Sequence, residues 1–257
     1  MKSGSGGATG WQRSDRAAEE TLLDLLRNGR LTLRGLIPWS SNYTFLGQVS
    51  DRDRRAPVVY KPVRGERPLW DFPRGTLAKR ETAAYVLSRE LGWHLIPATV
   101  LRDGPHGLGS VQLFVDVDQD EHFFTFREDS AYGHALKTLA LFDAIANNAD
   151  RKGGHCLRLS EGRIVAIDQG LCFNVEPKLR TVVWDFAGER FPEDLREDLR
   201  RLDVELRTAG CPLLAELAEL LTPLEIRALR MRVAALLVAD RFPDPPEDRP
   251  AIPWPPV

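Results

Sequence analysis

Apolar residues recur at helical spacing in three early stretches. Over residues 15–28, Ala18, Leu22, Leu25 and Leu26 share a face and Gly29 follows as a stop; over 77–91, Leu77, Ala84, Leu87 and Leu91 form a stripe capped by Gly92. Over 134–146 the repeat is Leu136, Leu139, Phe142, Ile145 and Ala146. Elsewhere the period shortens to that of strands. Leu31, Leu33 and Leu36, then residues 43–49, 56–62, 96–101 and 109–115, predict strands, the last two joined by a turn over 102–107. A hairpin follows the third helix: 156–159, a turn at Ser160-Glu161-Gly162, and a return over 163–167. Helices are predicted over about 192–209, 211–221 and 223–240, with Pro192, Pro212 and Pro223 suited to first-turn positions. Strands gathered early and helices gathered late predict the α+β class.

At 257 residues and 43% hydrophobic content the chain buries a sizeable core, and one domain of two lobes suits that size. The lobes are expected over 11–116 and 117–242, after a Gly/Ser-rich, disordered start at 1–10. Residues 243–257 hold seven prolines and read as an extended or disordered tail. A net charge of −2 makes no electrostatic case for nucleic acid or an anionic membrane. Cys156, Cys172 and Cys211 form neither a metal-ligand pattern nor a disulfide framework, so a reducing cytoplasm is expected. No signal peptide and no apolar run of about 18 residues is present, which argues against stable membrane insertion.

The densest chemistry lies between Leu141 and Phe173. Asn147, Asn148 and Asp150 compete with the helix through their side chains, and Gly153-Gly154 ends it. Because a hairpin brings its ends together, Asp150 before it and Asp168 after it are expected within reach of one small ligand. Two such carboxylates, with His155 and two asparagines nearby, suit chemistry on a magnesium nucleotide: one acid ligates the cation while the other takes a proton from an attacking hydroxyl. Lys61, amid Val58, Val59 and Tyr60, either snorkels from an edge strand or points into a cleft at an anion.

The order Asn148-Ala149-Asp150-Arg151-Lys152-Gly153-Gly154-His155, then Ile167-Asp168-Gln169-Gly170, resembles the phosphatidylinositol 3-/4-kinase-like branch of the kinase superfamily, and within it the small bacterial members. The resemblance covers roughly residues 31–173, and its specific part is 147–170. It implies a two-lobed kinase-like fold, an N-terminal antiparallel sheet with one helix above a mainly helical lobe, and it implies use of ATP with Mg2+ or Mn2+. It also implies that Lys61 holds the phosphates, oriented by Glu81 in preference to Glu90, and that the backbone near Phe114 and Val115 meets the adenine; Ser40, Ser41 and Asn42 either cover the phosphates or form a plain hairpin turn, since Gly35 and Gly47 do not complete a Gly-x-Gly-x-x-Gly lid. Asp150 becomes the base and Asp168 the metal ligand. Arg151 or Lys152 neutralises charge on the transferring phosphoryl group. The chain departs from the branch at two places: His155 stands where an asparagine ligates the second metal, and Gln169 where phenylalanine is expected. An imidazole serves manganese better than magnesium. Asn148 is the reserve metal or phosphate contact, and Asp143 is read as holding the loop in place.

These readings leave three functions open. The first is an ATP-dependent phosphotransferase acting on a protein, small-molecule or lipid hydroxyl, lipid being least favoured because no basic amphipathic helix or polybasic cluster is present. The second is a nucleotide-binding pseudokinase with a regulatory or scaffolding role. The third is a nucleotidyl (AMP) transferase using the same residues.

Overall fold

A computed structural model of the chain describes residues 13–38, 42–117 and 120–257. The expectations for residues 1–10, Ser40 and Ser41 therefore lie outside the described residues.

Helix α1 (Arg13–Asn28) leads into β1 (Arg30–Leu36), β2 (Phe45–Ser50) and β3 (Arg55–Pro62), a loop carries the chain to α2 (Leu77–Glu90), and β4 (Thr99–Gly104) and β5 (Gly107–Leu113) complete an antiparallel sheet of order β1-β2-β3-β5-β4. The strands β4 and β5 run further into their turn than the sequence suggests, pairing Asp103 with Leu108 and Gly104 with Gly107. Positive φ at Gly107 (90°) allows the chain to reverse that tightly.

In β3 the burial alternates. Ala56, Val58 and Tyr60 are buried on one face. Lys61 leaves by the other, as the two-residue period requires. Tyr60 is held in place by donating its hydroxyl to Gly107 O at 2.5 Å.

After β5, the short helix α3 (Phe123–Phe126) precedes α4 (Gly133–Ala146), the hairpin β6 (Cys156–Arg158) and β7 (Ile164–Ala166), and then α5 (Glu193–Arg207), α6 (Pro212–Leu220) and α7 (Pro223–Ala239). Thr222 and Glu225 form a capping box at the start of α7, where Pro223 needs no N–H partner. One apolar core runs through both lobes, from Leu26 and Val58 through Phe142 and Ile145 to Leu199 and Leu229. Among the described residues no helix is long and apolar enough to cross a membrane.

The proline-rich tail has neither helix nor strand, and the body holds it. Ala251 O accepts the Thr181 N–H at 3.0 Å and the Trp184 indole N–H at 3.1 Å, and Pro256 O accepts the Gly153 N–H at 2.7 Å. Proline removes donors from this segment but leaves its carbonyls, and those make the contacts.

Candidate active site

Helix α4 ends because Asn147 turns left-handed (φ 54°), a conformation asparagine tolerates. Its amide then binds the chain downstream: Nδ2 donates to Asn174 O at 3.0 Å and Glu176 O at 2.7 Å, and Oδ1 accepts from Lys178 N at 2.8 Å. Asn148 Oδ1 accepts the Asp150 N–H at 2.9 Å, fixing the backbone of the carboxylate two residues on.

Two expectations fail here for the same reason. Asn148 is fully buried and its Nδ2 donates to Asp143 Oδ1 at 3.0 Å, so it faces inward and not toward a metal or phosphate. Arg151 is also fully buried, and its Nε and Nη2 grip the Asp143 carboxylate at 3.0–3.1 Å. Its remaining three hydrogens go to Gln169 Oε1 at 2.8 Å from Nη2 and, from Nη1, to Ile167 O at 3.0 Å and His155 O at 3.5 Å. It therefore has no hydrogen left for a phosphoryl group. Burial opposes its charge, but Asp143 outweighs that and holds the guanidinium protonated. Gln169, where the resemblance expects phenylalanine, spans Arg151 and Ile167 O from a fully buried position. The signal that could have found it is its place beside Asp168 with a buried arginine to satisfy.

The carboxylates that do reach the cleft sit in unlike surroundings. Asp168 has φ of 61°, and its Oδ1 accepts a charge-assisted hydrogen bond from Lys61. Lys61 also donates to Glu81 Oε1 at 2.6 Å, while Glu81 itself is buried on α2. Lys61 holds the Asp168 carboxyl well below the usual range. Burial works against the Lys61 charge, and Asp168 and Glu81 together overcome it, so its pKa is raised. Asp150 has Lys152 Nζ 3.7 Å from its Oδ2. Its pKa is raised because burial disfavours the ionised form more than Lys152 favours it.

Helix α2 is fixed where Glu81 can do this. Arg80, beside it, is buried, donates to Cys172 O at 2.5 Å and to the Glu225 carboxylate of α7, and lies 5.0 Å over the Phe72 ring. Gly170 faces this helix, where a Cβ would make only ordinary contacts, 3.4 Å to Leu77 Cβ and 3.6 Å to Glu81 Oε1, so Arg80 and not the glycine fixes the approach.

His155 lies between the two carboxylate-bearing residues. Its Nδ1 lies 3.1 Å from Asp150 O, an acceptor, so Nδ1 carries the proton and Nε2 presents a lone pair. That Nε2 faces Asp168 Oδ2 at 3.3 Å. Burial pushes the His155 pKa down to about 4, so the imidazole is neutral at pH 7. Two acceptors this close are attractive only with positive charge between them. Ligands on adjacent corners of an octahedron with bonds of about 2.1 Å stand about 3 Å apart, close to this spacing. Among the described residues no group of three or more His, Cys, Asp or Glu is placed to hold a metal alone. The pair fits a cation whose coordination is completed by phosphate oxygens and water, as hard divalent ions at nucleotide sites commonly are.

The cleft itself has a volume of about 300 Å³. Lys61, Glu81, Asp150, Lys152, His155 and Asp168 all line it. Asn42 lines it too, with its Oδ1 accepting the Arg67 N–H at 2.8 Å. Phe114 and Val115 are not among its lining residues, and the Phe114 N–H is donated to Pro57 O at 3.0 Å, which removes it as a donor to a base edge. The wall also contains Tyr43, Glu66, Arg67, Leu69 and Leu171, none singled out from sequence. They come from irregular segments, where periodicity has nothing to report.

The antiparallel sheet, the helix supplying Glu81 to Lys61 and the carboxylates flanking a hairpin below define a kinase-like fold. Two solved structures share it: the Golgi casein kinase with Mn/ADP bound, at TM-score 0.58 and 14% identity, covering 88% of this chain and 76% of that one, and another structure of the Golgi casein kinase at TM-score 0.52 and 15% identity with the same coverage. No family model matches the chain. It is 42% identical over 264 aligned positions to Protein Rv2133c of Mycobacterium tuberculosis (strain ATCC 25618 / H37Rv), covering 90% of this chain and 94% of that protein, and it belongs to the same family.

Proposed function

We propose that the chain is an ATP- and divalent-metal-dependent phosphotransferase of the phosphatidylinositol 3-/4-kinase-like type, acting on a hydroxyl-bearing acceptor. The observation that carries this reading is Lys61 held between Glu81 and Asp168 in the same cleft as Asp150. Lys61 orients the phosphates, Asp168 and His155 hold the cation, and Asp150 takes the proton as the acceptor oxygen attacks. The cation, when bound, neutralises charge on the phosphate oxygens. Lys152, the cation nearest Asp150, is left to offset charge developing on the transferred group, the part Arg151 cannot play. The Mn/ADP in the Golgi casein kinase structure supports nucleotide and metal use in this fold. The subtype rests on the motif order from Asn147 to Gly170 alone.

A nucleotide-binding pseudokinase is the second reading. What favours it is the inward turn of Asn148, which removes one expected metal donor and leaves Asp168 and His155 as the pair facing each other among the described residues.

Thermal unfolding with ATP and either metal tests the site. A ligand at about a hundred times its dissociation constant adds roughly 2.7 kcal/mol, so a metal-dependent rise in Tm is expected in the wild type and its loss in Asp168→Ala. The His155 imidazole predicts a larger rise, and faster turnover, with manganese than with magnesium at matched concentrations. Equal or better performance with magnesium would remove His155 from the metal site. No nucleotide-dependent rise with any metal would remove the proposal itself.

Acid sensitivity follows from the Asp150 environment. A base must be ionised, and burial raises its pKa, so turnover is expected to fall on acidification with a midpoint above the ordinary carboxylate value of about 3.9. A pH–rate profile flat down to that value would exclude Asp150 as the base.

A further inference from the structure

The loop that carries Asp150, Lys152 and His155 is tied down by two segments that follow it in the chain. From Asn148 to Arg151 its partner is 180–182: Arg180 N donates to Asn148 O at 2.9 Å, Arg151 N to Arg180 O at 3.0 Å and Val182 N to Arg151 O at 3.0 Å. Thr181, in the middle of that partner, gives its own N–H to Ala251 O at 3.0 Å, and the Trp184 indole donates to the same oxygen at 3.1 Å. The tail then crosses to the other end of the loop. There Pro256 O accepts the Gly153 N–H at 2.7 Å, and Val257 lies against Gly154, where a Cβ would stand 3.9 Å from Val257 Cγ1. Between these ties Pro253 is buried, while Ile252 and Trp254 on either side of it are exposed. None of residues 251–257 lines the cleft.

The second tie supplies what the loop lacks. His155 N donates to Lys152 O at 3.1 Å, and a turn closed in this way offers no acceptor to the Gly153 N–H. Pro256 O is that acceptor. A Cβ at Gly153 would come within 2.7 Å of the Phe124 ring, so glycine is the residue that fits, and Gly154 follows it. Two adjacent glycines have the widest backbone freedom a chain can have, and they keep one conformation only where outside contacts impose it. Lys152 lies between Arg151, whose N–H and carbonyl are both bound to 180–182, and Gly153, bound to Pro256. Its backbone is therefore fixed at both ends. His155, which faces Asp168, ends the same turn. A proline-rich segment suits this task, because it has less freedom to lose on docking and keeps its carbonyls as acceptors.

We infer that residues 251–256 are a positioning element of the catalytic machinery, acting through the Gly153 N–H to place Lys152 and His155. The inference rests on the phosphotransferase reading and extends it to a part of the chain outside the cleft.

Amide hydrogen exchange at Gly153, with steady-state kinetics on the full chain, tests it. The Gly153 amide of the wild type is expected to be protected. Pro253→Asp puts a charge where the tail is buried. It is expected to lower both that protection and kcat at least about tenfold, with KM for ATP changed less than about twofold. The manganese-dependent thermal shift with ATP should persist, because Lys61, Glu81 and Asp168 are untouched. Trp184→Phe keeps a ring and removes one of the two donors to Ala251 O, and is expected to lower kcat about threefold at unchanged KM. Arg249→Ala, exposed and paired with its neighbour Asp248, should match the wild type. A freely exchanging Gly153 amide in the wild type overturns the inference. So does a Pro253→Asp protein that loses the protection and keeps its kcat, or one that loses kcat with the protection intact. A raised KM at unchanged kcat assigns the tail to nucleotide binding and overturns it too. If Pro253→Asp does not fold, Trp184→Phe decides, and an unchanged kcat there overturns the inference. A wild type without turnover removes the phosphotransferase reading and the inference with it, whereas turnover indifferent to the tail variants removes the inference alone.

Discussion

Asp150→Asn is expected to lower turnover by roughly 10²- to 10⁴-fold, the usual contribution of a positioned general base, while the manganese-dependent thermal shift with ATP persists. The substitution keeps the shape of the side chain and removes its proton affinity. Its backbone would stay in place, because Asn148 Oδ1 holds the Asp150 N–H and the His155 ring holds the Asp150 carbonyl. Lys152 would lose the carboxylate 3.7 Å away, and that weak pair carries little of the fold's stability. Turnover by γ-labelled ATP transfer and nucleotide binding by thermal shift therefore separate chemistry from occupancy. A variant that loses the shift along with turnover would make Asp150 a nucleotide or metal contact. A wild type with the shift and no turnover would be the pseudokinase.

The two carboxylates can divide the work because their surroundings push them apart. Asp168, half exposed, faces Lys61 and stays ionised in all but strong acid. Asp150, more buried and without a hydrogen-bonded cation, holds a proton more readily. Separated affinities of this kind are how one site assigns a ligand and a base from the same residue type.

Much of this arrangement was legible in the spacing of residues, and the part that was not has a common physical cause. Periodicity marked α2 and α4 because their buried faces repeat every three to four residues, and a short turn between two apolar runs marked the hairpin that brings Asp150 and Asp168 into one cleft. Spacing says nothing about which way a loop side chain turns. Asn148 and Arg151 flank Asp150, yet both turn inward because Asp143, fully buried on α4, leaves a charge that must be paired. The loop between β3 and α2 was opaque for a different reason. Its anchors are Asp71 to Asn174 and to Lys178, contacts separated by about a hundred residues, with no local pattern to announce them. The tail's prolines signalled only that it would not form helix or ladder, and its carbonyl contacts with Gly153, Thr181 and Trp184 depend on the rest of the fold.

The largest stability effect is expected from Asp143→Ala. The Asp143 carboxylate accepts from Arg151, from Asn148 Nδ2 and from Thr181 Oγ1 at 3.3 Å, and both members of the ion pair have fully buried side chains. Removing it strands a guanidinium that cannot shed its proton and has no solvent to turn to. Breaking a buried pair in this one-sided way costs roughly 3–5 kcal/mol. In a chain of this size that lowers Tm by on the order of 10 °C. Arg151→Met in the same background should recover much of the loss, since no unpaired charge then remains, although the carbonyl of Ile167 and the amide of Gln169 each lose a partner. Thermal unfolding of the two single variants and the double variant measures the coupling directly. Additive losses in the double variant would show that the pair is not the unit holding the loop. A recovered Tm without recovered turnover would show that the buried pair, beyond stabilising the fold, also sets the position from which Asp150 works.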